Sequence, residues 1–254
     1  MQDKFWYLKN CDLFERLTPE QSARLESRSR TRIFEKRGLV YLSSDHADSV
    51  LLLASGRVKL YHITSEGKQA VLAIIDPGEF FGELAILDSG PREEFAEAME
   101  RSTVIRIPGD EIRQLMDEQP RVSLEVSRLM GLRRRRVERR LKSLLFRSNR
   151  ERLVYLLIEL AERYGRRTND GVVIGIKLSH QELANIIGST RETVTVLLGN
   201  MQNEGALQIK RRQIILKEME RLAQSVEIPP PQLKPPDNNY LQLIQSSHAQ
   251  SAIN

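Results

Sequence analysis

The sequence predicts an α+β chain with a β-sandwich or β-roll in its first half, a long central helix and a winged helix-turn-helix towards its C-terminal end. Three observations carry this reading. Short β-branched runs separated by glycine-containing turns fill residues 32–108. A helical stretch with an apolar seam follows Pro120. Two short amphipathic patterns joined at a glycine occupy residues 178–205, with a hairpin pattern directly after them.

In the first region the runs are Val50–Leu53, Val58–Ile63, Ala70–Ile75 and Thr103–Ile107, punctuated by Gly38, Gly56, Gly67, Gly78 and Gly82. Several short strands at near-regular spacing indicate a sandwich or roll, with glycines at corners where the chain turns tightly. The first thirty residues read as helical. Leu13, Phe14, Leu17 and Leu25 are spaced for one face, and Thr18-Pro19-Glu20 looks like a cap followed by proline at the first helical position.

From Asp110 to about Arg147 the pattern is helical again, broken at Pro120. Met130, Arg134, Val137, Leu141 and Leu144 follow at spacings of 4, 3, 4 and 3, a heptad seam. It is too short for an autonomous coiled coil and suits a dimer helix braced by flanking domains, with Met130, Val137, Leu141 and Leu144 at the interface. Another helix is expected over Glu151–Tyr164, with Leu153, Leu156, Leu157 and Leu160 on one face. A turn at Asn169-Asp170-Gly171 and a strand at Val172–Ile174 follow. From Ser225 onward the chain is polar and proline-rich and reads as disordered.

The formal net charge of +5 is unevenly placed: −5 over residues 1–119, +8 over 120–147, +3 over 148–222 and −1 over 223–254. The positive charge sits in the middle and C-terminal thirds, where a polyanion would bind; a solvated basic helix is the plainer account of charge alone. Cys11 is the single cysteine, which excludes intrachain disulfides, four-cysteine zinc sites and cysteine-ligated clusters. There is no run of 18 apolar residues, and Met1-Gln2-Asp3-Lys4-Phe5-Trp6 lacks the look of a signal peptide. A cytoplasmic, membrane-free setting is expected.

Residues 178–205 contain two S-x-x-E boxes ten residues apart, Ser179 with Glu182 and Ser189 with Glu192, each able to cap a helix. Gly188 permits a left-handed turn after the first helix and Gly205 after the second. Leu183, Ala184 and Ile187 form one inner face; Val194, Leu197, Leu198 and Met201 form the other. This is a helix-turn-helix pattern. In DNA-binding versions the second helix enters the major groove and its N-terminal residues meet base edges. Those residues here are Thr190, Arg191, Glu192, Thr195 and Val196. Arginine binds guanine bidentately and glutamate accepts from cytosine N4, while Ser179, Ser189 and Thr190 suit phosphate contacts. The bland reading is that Glu192 caps its own helix and Arg191 is solvated. The hairpin Ala206–Leu216, with Lys210, Arg211 and Arg212 at its tip, turns the motif into a winged helix and favours DNA.

At these residues the sequence resembles the CRP/FNR regulator family, from about residue 12 to residue 218. Pro77-Gly78-Glu79-Phe80-Phe81-Gly82-Glu83-Leu84 is similar to the family's cyclic-nucleotide-binding signature, and Gly188-Ser189-Thr190-Arg191-Glu192-Thr193-Val194 to its recognition helix. The resemblance implies a double-stranded, jelly-roll-like β-roll, a long dimerisation helix and a winged helix-turn-helix. It further implies a homodimer reading a pseudo-palindromic site in double-stranded DNA, with RNA polymerase as a further partner. The expected domains are a β-roll sensor with its N-terminal helix (1–119), a dimerisation helix (120–147), a DNA-binding domain (148–222) and a tail (223–254).

Arg191 and Glu192 match the family's base-reading pair; a second arginine often found one turn later is Val196 here, which can touch a thymine methyl. In the sensor, Glu83 and Arg92 match the catabolite activator's ribose-binding glutamate and phosphate-binding arginine. Glu93 replaces the serine beside that arginine, and Val137 and Glu138 replace the pair that holds adenine. Cyclic AMP is therefore not expected. The nitrogen-control branch, which binds 2-oxoglutarate, matches at Arg92, Arg133 and Glu138 and departs at Glu83. An effector site is thus sketched by Phe81, Gly82, Glu83, Leu84, Arg92, Arg133, Arg134, Val137 and Glu138, and the arginines at 133–136 favour a compact carboxylate over a nucleotide. Equally open is Arg92 tied to Glu83 or Glu93 in a structural ion pair, with a ligand-independent regulator as the result.

The fumarate-nitrate type needs more cysteines than Cys11, and the carbon-monoxide type needs a haem ligand where only His46 and His62 stand. A cupin-like enzyme needs a histidine–carboxylate metal cluster, which two histidines at unrelated spacing do not provide, so no enzyme is expected. The remaining alternative is a β-roll ligand-binding protein whose helix-turn-helix makes protein contacts.

Overall fold

A computed structural model describes residues 17–87, 90–210 and 213–229. The chain divides into two compact units, Met1–Arg140 and Leu141–Asn254. Expectations for Leu13, Phe14, Arg211, Arg212 and most of the proline-rich tail lie outside the described residues.

The first unit opens on α1 (Pro19–Arg28), whose Thr18 cap forms a reciprocal box with Gln21 and places proline at the start. Eight strands follow in two antiparallel sheets. One runs β1 (Arg30–Phe34), β8 (Ser102–Pro108), β3 (Ser49–Ser55), β6 (Phe80–Phe81); the other runs β2 (Leu39–Tyr41), β7 (Phe95–Ala98), β4 (Val58–Ile63), β5 (Gln69–Ile75). The long apolar run of β3 has a simple cause: it is buried on both faces. Leu51 and Leu53 point into the roll with Tyr41, Val58, Leu60, Ile75, Phe81 and Val104. Val50, Leu52 and Ala54 pack outward against Leu25, Ile112, Leu115, Val122 and Val126, which come from helices. Alternation along a strand separates the two sets. The helices are α1, α2 (Leu84–Leu87), α3 (Gly109–Glu118) and α4 (Pro120–Phe146).

Four expected strands are present with ends extended by up to two residues. β1, β2, β6 and β7 carried no sequence signal, because β1 is largely exposed and charged and the others are short. Charge clamps α1 to α3. Arg24 forks onto both Glu118 oxygens at 2.8 and 2.9 Å, Gln21 donates to the same carboxylate at 2.8 Å, and Arg24 and Arg28 flank the buried Glu111 at 3.2 and 3.1 Å.

The second unit contains the C-terminal end of α4 and then α5 (Asn149–Tyr164), capped by a Ser148–Glu151 box. Leu153, Leu156, Leu157 and Leu160 are all buried, as their spacing predicts. A sheet of order β11 (Leu207–Lys210), β12 (Gln213–Leu216), β10 (Gly171–Ile174), β9 (Gly165–Thr168) flanks α6 (His180–Ile187) and α7 (Arg191–Asn203). A further helix, α8 (Met219–Ser225), stands where the helical pattern was not read; Leu222 and Ala223 anchor it.

Glu118 is held down to about 2, first by the Arg24 hydrogen bonds and then by that of Gln21. Its folded value lies below an ordinary carboxylate's of about 4.3. The stabilisation is therefore present above that ordinary value and is lost as pH falls through about 2. An NMR titration of the Glu118 carboxyl should give that midpoint, and Arg24→Ala should return it towards 4.3 or so; a midpoint unmoved by Arg24→Ala would refute the clamp.

Candidate DNA interface and effector site

α6 starts as expected. Ser179 Oγ accepts from the Glu182 amide at 3.2 Å, and Glu182 Oε2 accepts from the Ser179 amide at 2.7 Å. It ends at Gly188, whose φ of 67° is left-handed. The amides of both Gly188 and Ser189 then turn back to Ala184 O. That closure corrects the second capping box. Ser189 is spent on ending α6, so Thr190 is the extended residue that caps α7, accepting from the Thr193 amide at 3.2 Å. Ser189 and Glu192 form no reciprocal box.

Val194, Leu198 and Met201 bury one face of α7 completely; Leu197, expected with them, is half-buried. Arg191, Glu192, Thr195 and Val196 stand exposed together on the N-terminal part of the other face. The Glu192 carboxyl lies below the usual range, held first by its own backbone amide, then by the Thr190 hydroxyl and Arg191. It is an ionised acceptor at the helix N-terminus, where the dipole favours negative charge.

One residue was overlooked in the sequence. His180 Nδ1 lies 2.8 Å from Thr195 Oγ1, and Thr195 Oγ1 donates to Arg191 O at 2.8 Å. A hydroxyl has one proton to give, so His180 must donate from Nδ1. This bond ties the start of α6 to the exposed row of α7. The available signal was its place directly after the Ser179 cap, facing a helix fifteen residues on. At the wing, Lys210 is exposed and pairs with Asp170 at 3.1 Å.

The expected effector residues split into three groups. Phe81 is fully buried in the roll and stacks on Tyr41, a core residue. Gly82, at φ 67°, leaves room for Arg92, because a Cβ there would collide with Arg92 Nη1. Leu84 is exposed. Arg92 is buried and pairs with neither Glu83 nor Glu93, which corrects the ion pair considered above. It donates to Ser49 O at 2.7 Å and lies 4.2 Å over the Tyr41 ring. Glu93 is exposed, and the carboxylate on this side is Glu94, which accepts from the Tyr41 hydroxyl at 2.7 Å. Arg92 and Glu93 lie in the turn before β7, one buried and the other exposed. Burial, with Glu94 next, pushes the Tyr41 hydroxyl well up.

Helix α4 supplies the third group. Arg133 Nη1 lies 2.7 Å from buried Glu83, and its Nη2 donates to Phe80 O. Arg136 reaches Glu79 at 3.2 Å, and Arg140 reaches Leu72 O at 3.2 Å. Arg134 pairs with Glu138 one turn on at 2.8 Å, both exposed. The arginine excess read from the sequence is thus largely matched by carboxylates. Val137, Leu141 and Leu144 are exposed on α4, whereas Met130 is half-buried against the core. His46 and His62 join no metal-ligating group; among the described residues no cluster of three such side chains exists.

Comparison with known proteins accords with this arrangement. Residues 31–119 match the cyclic nucleotide-binding domain model, and residues 151–225 match the Crp-like helix-turn-helix domain model. The chain is 31% identical over 183 residues to the global nitrogen regulator of a Nostoc species, covering 71% of this chain and 82% of that protein. It is 26% identical over 216 residues to the CRP-like cAMP-activated global transcriptional regulator of Mycobacterium tuberculosis, covering 85% and 96%. A CooA mutant from Carboxydothermus hydrogenoformans superposes with a TM-score of 0.72 at 27% identity, covering 86% of this chain and 97% of that one. The chain belongs to the CRP/FNR family of transcription regulators. It is a regulator with a helix-turn-helix DNA-binding domain rather than an enzyme. No helix among the described residues is long and apolar enough to cross a membrane.

Gly188 offers a local test. Its left-handed backbone and the 3.1 Å approach of a built Cβ to Leu144 both resist a side chain. Gly188→Ala should lower stability by about 1–2 kcal/mol in thermal unfolding, and Gly188→Asn by less. Equal loss in both would show that backbone handedness is not the constraint.

Proposed function

We propose that this protein is a homodimeric, sequence-specific DNA-binding regulator that lays α7 in the major groove of each half of a pseudo-palindromic site. One observation carries the reading. Arg191, Glu192, Thr195 and Val196 are exposed as a row at the N-terminus of a helix whose opposite face is buried. Arg191 reads guanine and Glu192 accepts from cytosine. Thr195, with its hydroxyl committed to Arg191 O and His180, offers its methyl; Val196 offers a thymine-methyl contact. Ser179, Ser189 and Thr190 face phosphates at the starts of the two helices. Lys210, together with Arg211 and Arg212, adds charge from the wing.

Dimerisation runs through α4. Val137 and Leu141, at 66% and 54% exposure, are too apolar and too close in register to be left to water. Leu144 continues the seam, although it also lies beside Gly188. The chain is organised as a β-roll sensor (1–119), a dimer helix (120–147) and a DNA-binding domain that runs from 148 through α8, with the tail after it. It acts in the cytoplasm on promoters, with RNA polymerase as its further partner. Cyclic AMP is not its effector: Arg92 is already engaged by Ser49 O and Tyr41, Val137 offers adenine no polar group, and Glu138 is held by Arg134.

Replacing both Val137 and Leu141 with lysine should yield folded monomers by analytical ultracentrifugation, with operator binding lost. A folded variant that remains dimeric would contradict the seam. Arg191→Ala should cost about 1–3 kcal/mol at one base pair of each half-site, measured by scanning operator variants. Lys210→Ala should instead weaken all sequences alike and reduce the salt slope by about one. If Arg191→Ala discriminates among half-sites as the wild type does, Arg191 does not read bases.

A further inference from the structure

We propose that His180 is a specificity-positioning residue: it locks Thr195 in the rotamer that offers DNA its methyl group and not its hydroxyl proton, so that Thr195 reads a thymine methyl. The inference deepens the reading of α7 as the helix that meets base edges and rests on it.

His180 is the first residue of α6, directly after the Ser179 cap. Its spacing to Leu183, Ala184 and Ile187 is that of one helix face, and those three are buried. That face is apolar until its last position, where it ends on a half-buried imidazole. The Ser179–Glu182 box, with bonds of 3.2 and 2.7 Å, holds the first turn of α6 in place. On α7, Thr195 follows the buried Val194 and is itself exposed, beside Arg191 and Val196 in the row assigned to base edges. The imidazole therefore reaches the polar row from the neighbouring helix, at a point where the apolar contacts have run out.

A threonine in a helix divides between two rotamers, because its hydroxyl is able to bond a carbonyl one turn back. Thr195 Oγ1 makes that bond, donating its proton to Arg191 O at 2.8 Å. His180 Nδ1, at 2.8 Å, donates to the same oxygen in the same rotamer and so adds to its weight. Helix α7 alone has no means of making this selection. With its proton spent, the hydroxyl has nothing to donate to guanine O6 or N7, adenine N7 or thymine O4. What Thr195 has left to offer is Cγ2, and a methyl group matches the C5-methyl that marks thymine in the major groove. The neutral Nδ1–H tautomer and the imidazolium both donate from Nδ1. The positioning thus needs no charge on His180, which separates it from a phosphate contact.

The test uses the full-length protein and the operator it selects from a random duplex pool, with single thymines replaced by deoxyuridine, which lacks only the methyl group. Binding is read by fluorescence anisotropy. At one thymine of each half-site the wild type should prefer thymine to uracil about fourfold, the worth of one buried methyl-sized group. Thr195→Ser keeps the hydroxyl and loses the methyl; it should abolish that preference, which assigns the base pair and separates it from any thymine met by Val196. His180→Ala should bring the ratio at the same position towards one, and His180→Asn, whose amide donates in place of Nδ1, should restore it. In a Thr195→Val background, where valine holds its preferred rotamer unaided, His180→Ala should change nothing further. Should His180→Ala fail to fold by circular dichroism, His180→Leu, which keeps the bulk without a donor, should show the same fall. A ratio unmoved in a folded His180 variant would overturn the proposal. So would an equal loss at every position with a shallower salt slope, the mark of a phosphate contact. A wild type that selects no sequence at all would defeat the proposed function and this inference with it, whereas a selected operator with an unmoved ratio defeats this inference alone.

Discussion

A buried carboxylate needs a cation, and in this protein the cation comes from the long helix. Arg133 meets Glu83 beside β6, and with Arg136 and Arg140 it sets which face of α4 lies on the β-roll. Val122 and Val126, in the first two turns of α4, are buried in the core, whereas Val137 and Leu141, further along the helix, are exposed. The same helix continues past Arg140 to Phe146, within the second unit.

The second unit resolves a different conflict. A helix proposed to read bases must be apolar enough to pack and polar enough to face DNA. α7 meets both demands by splitting its thirteen residues: Val194, Leu198 and Met201 are buried, and the exposed polar row is concentrated at its N-terminus. The left-handed Gly188 makes the turn between α6 and α7 short enough to keep the two apolar faces together. The His180–Thr195 bond then fixes one helix against the other from the polar side. The buried and exposed rows of α7 thus share a helix without sharing residues.

Much of this was legible in the sequence, for identifiable reasons. β3, β4, β5 and β8 are long and apolar, and α5, α6 and α7 repeat at helical spacing, so burial writes itself into pattern. β1 is charged and exposed, and β2, β6 and β7 are too short to show a period. Their place comes from partners distant in the chain, such as Arg30 opposite Arg106. The exposed row of α7 was visible because its residues are neighbours in sequence. Its cap was misjudged by one position, because the pattern S-x-x-E does not reveal that Ser189 is needed to close the preceding helix. The residues expected to form an effector site were legible as types and not as partners of one another. Arg133 and Glu83 are fifty residues apart, and no local rule states that they neutralise each other. Arg133, Arg134 and Arg136 stand within reach of Glu83, Glu138 and Glu79, pairings that the run of four arginines does not reveal.

The central claim is that two copies of this chain read DNA through the exposed row of α7. Selection of bound sequences from a random duplex pool by the purified full-length protein tests it most directly. The account requires a two-fold symmetric motif whose half-sites are centred about one helical turn apart, roughly 34 Å, with guanine and cytosine fixed where Arg191 and Glu192 reach. Recovery of an asymmetric single site, or of no enriched sequence at a salt concentration where the protein still binds DNA, would contradict it.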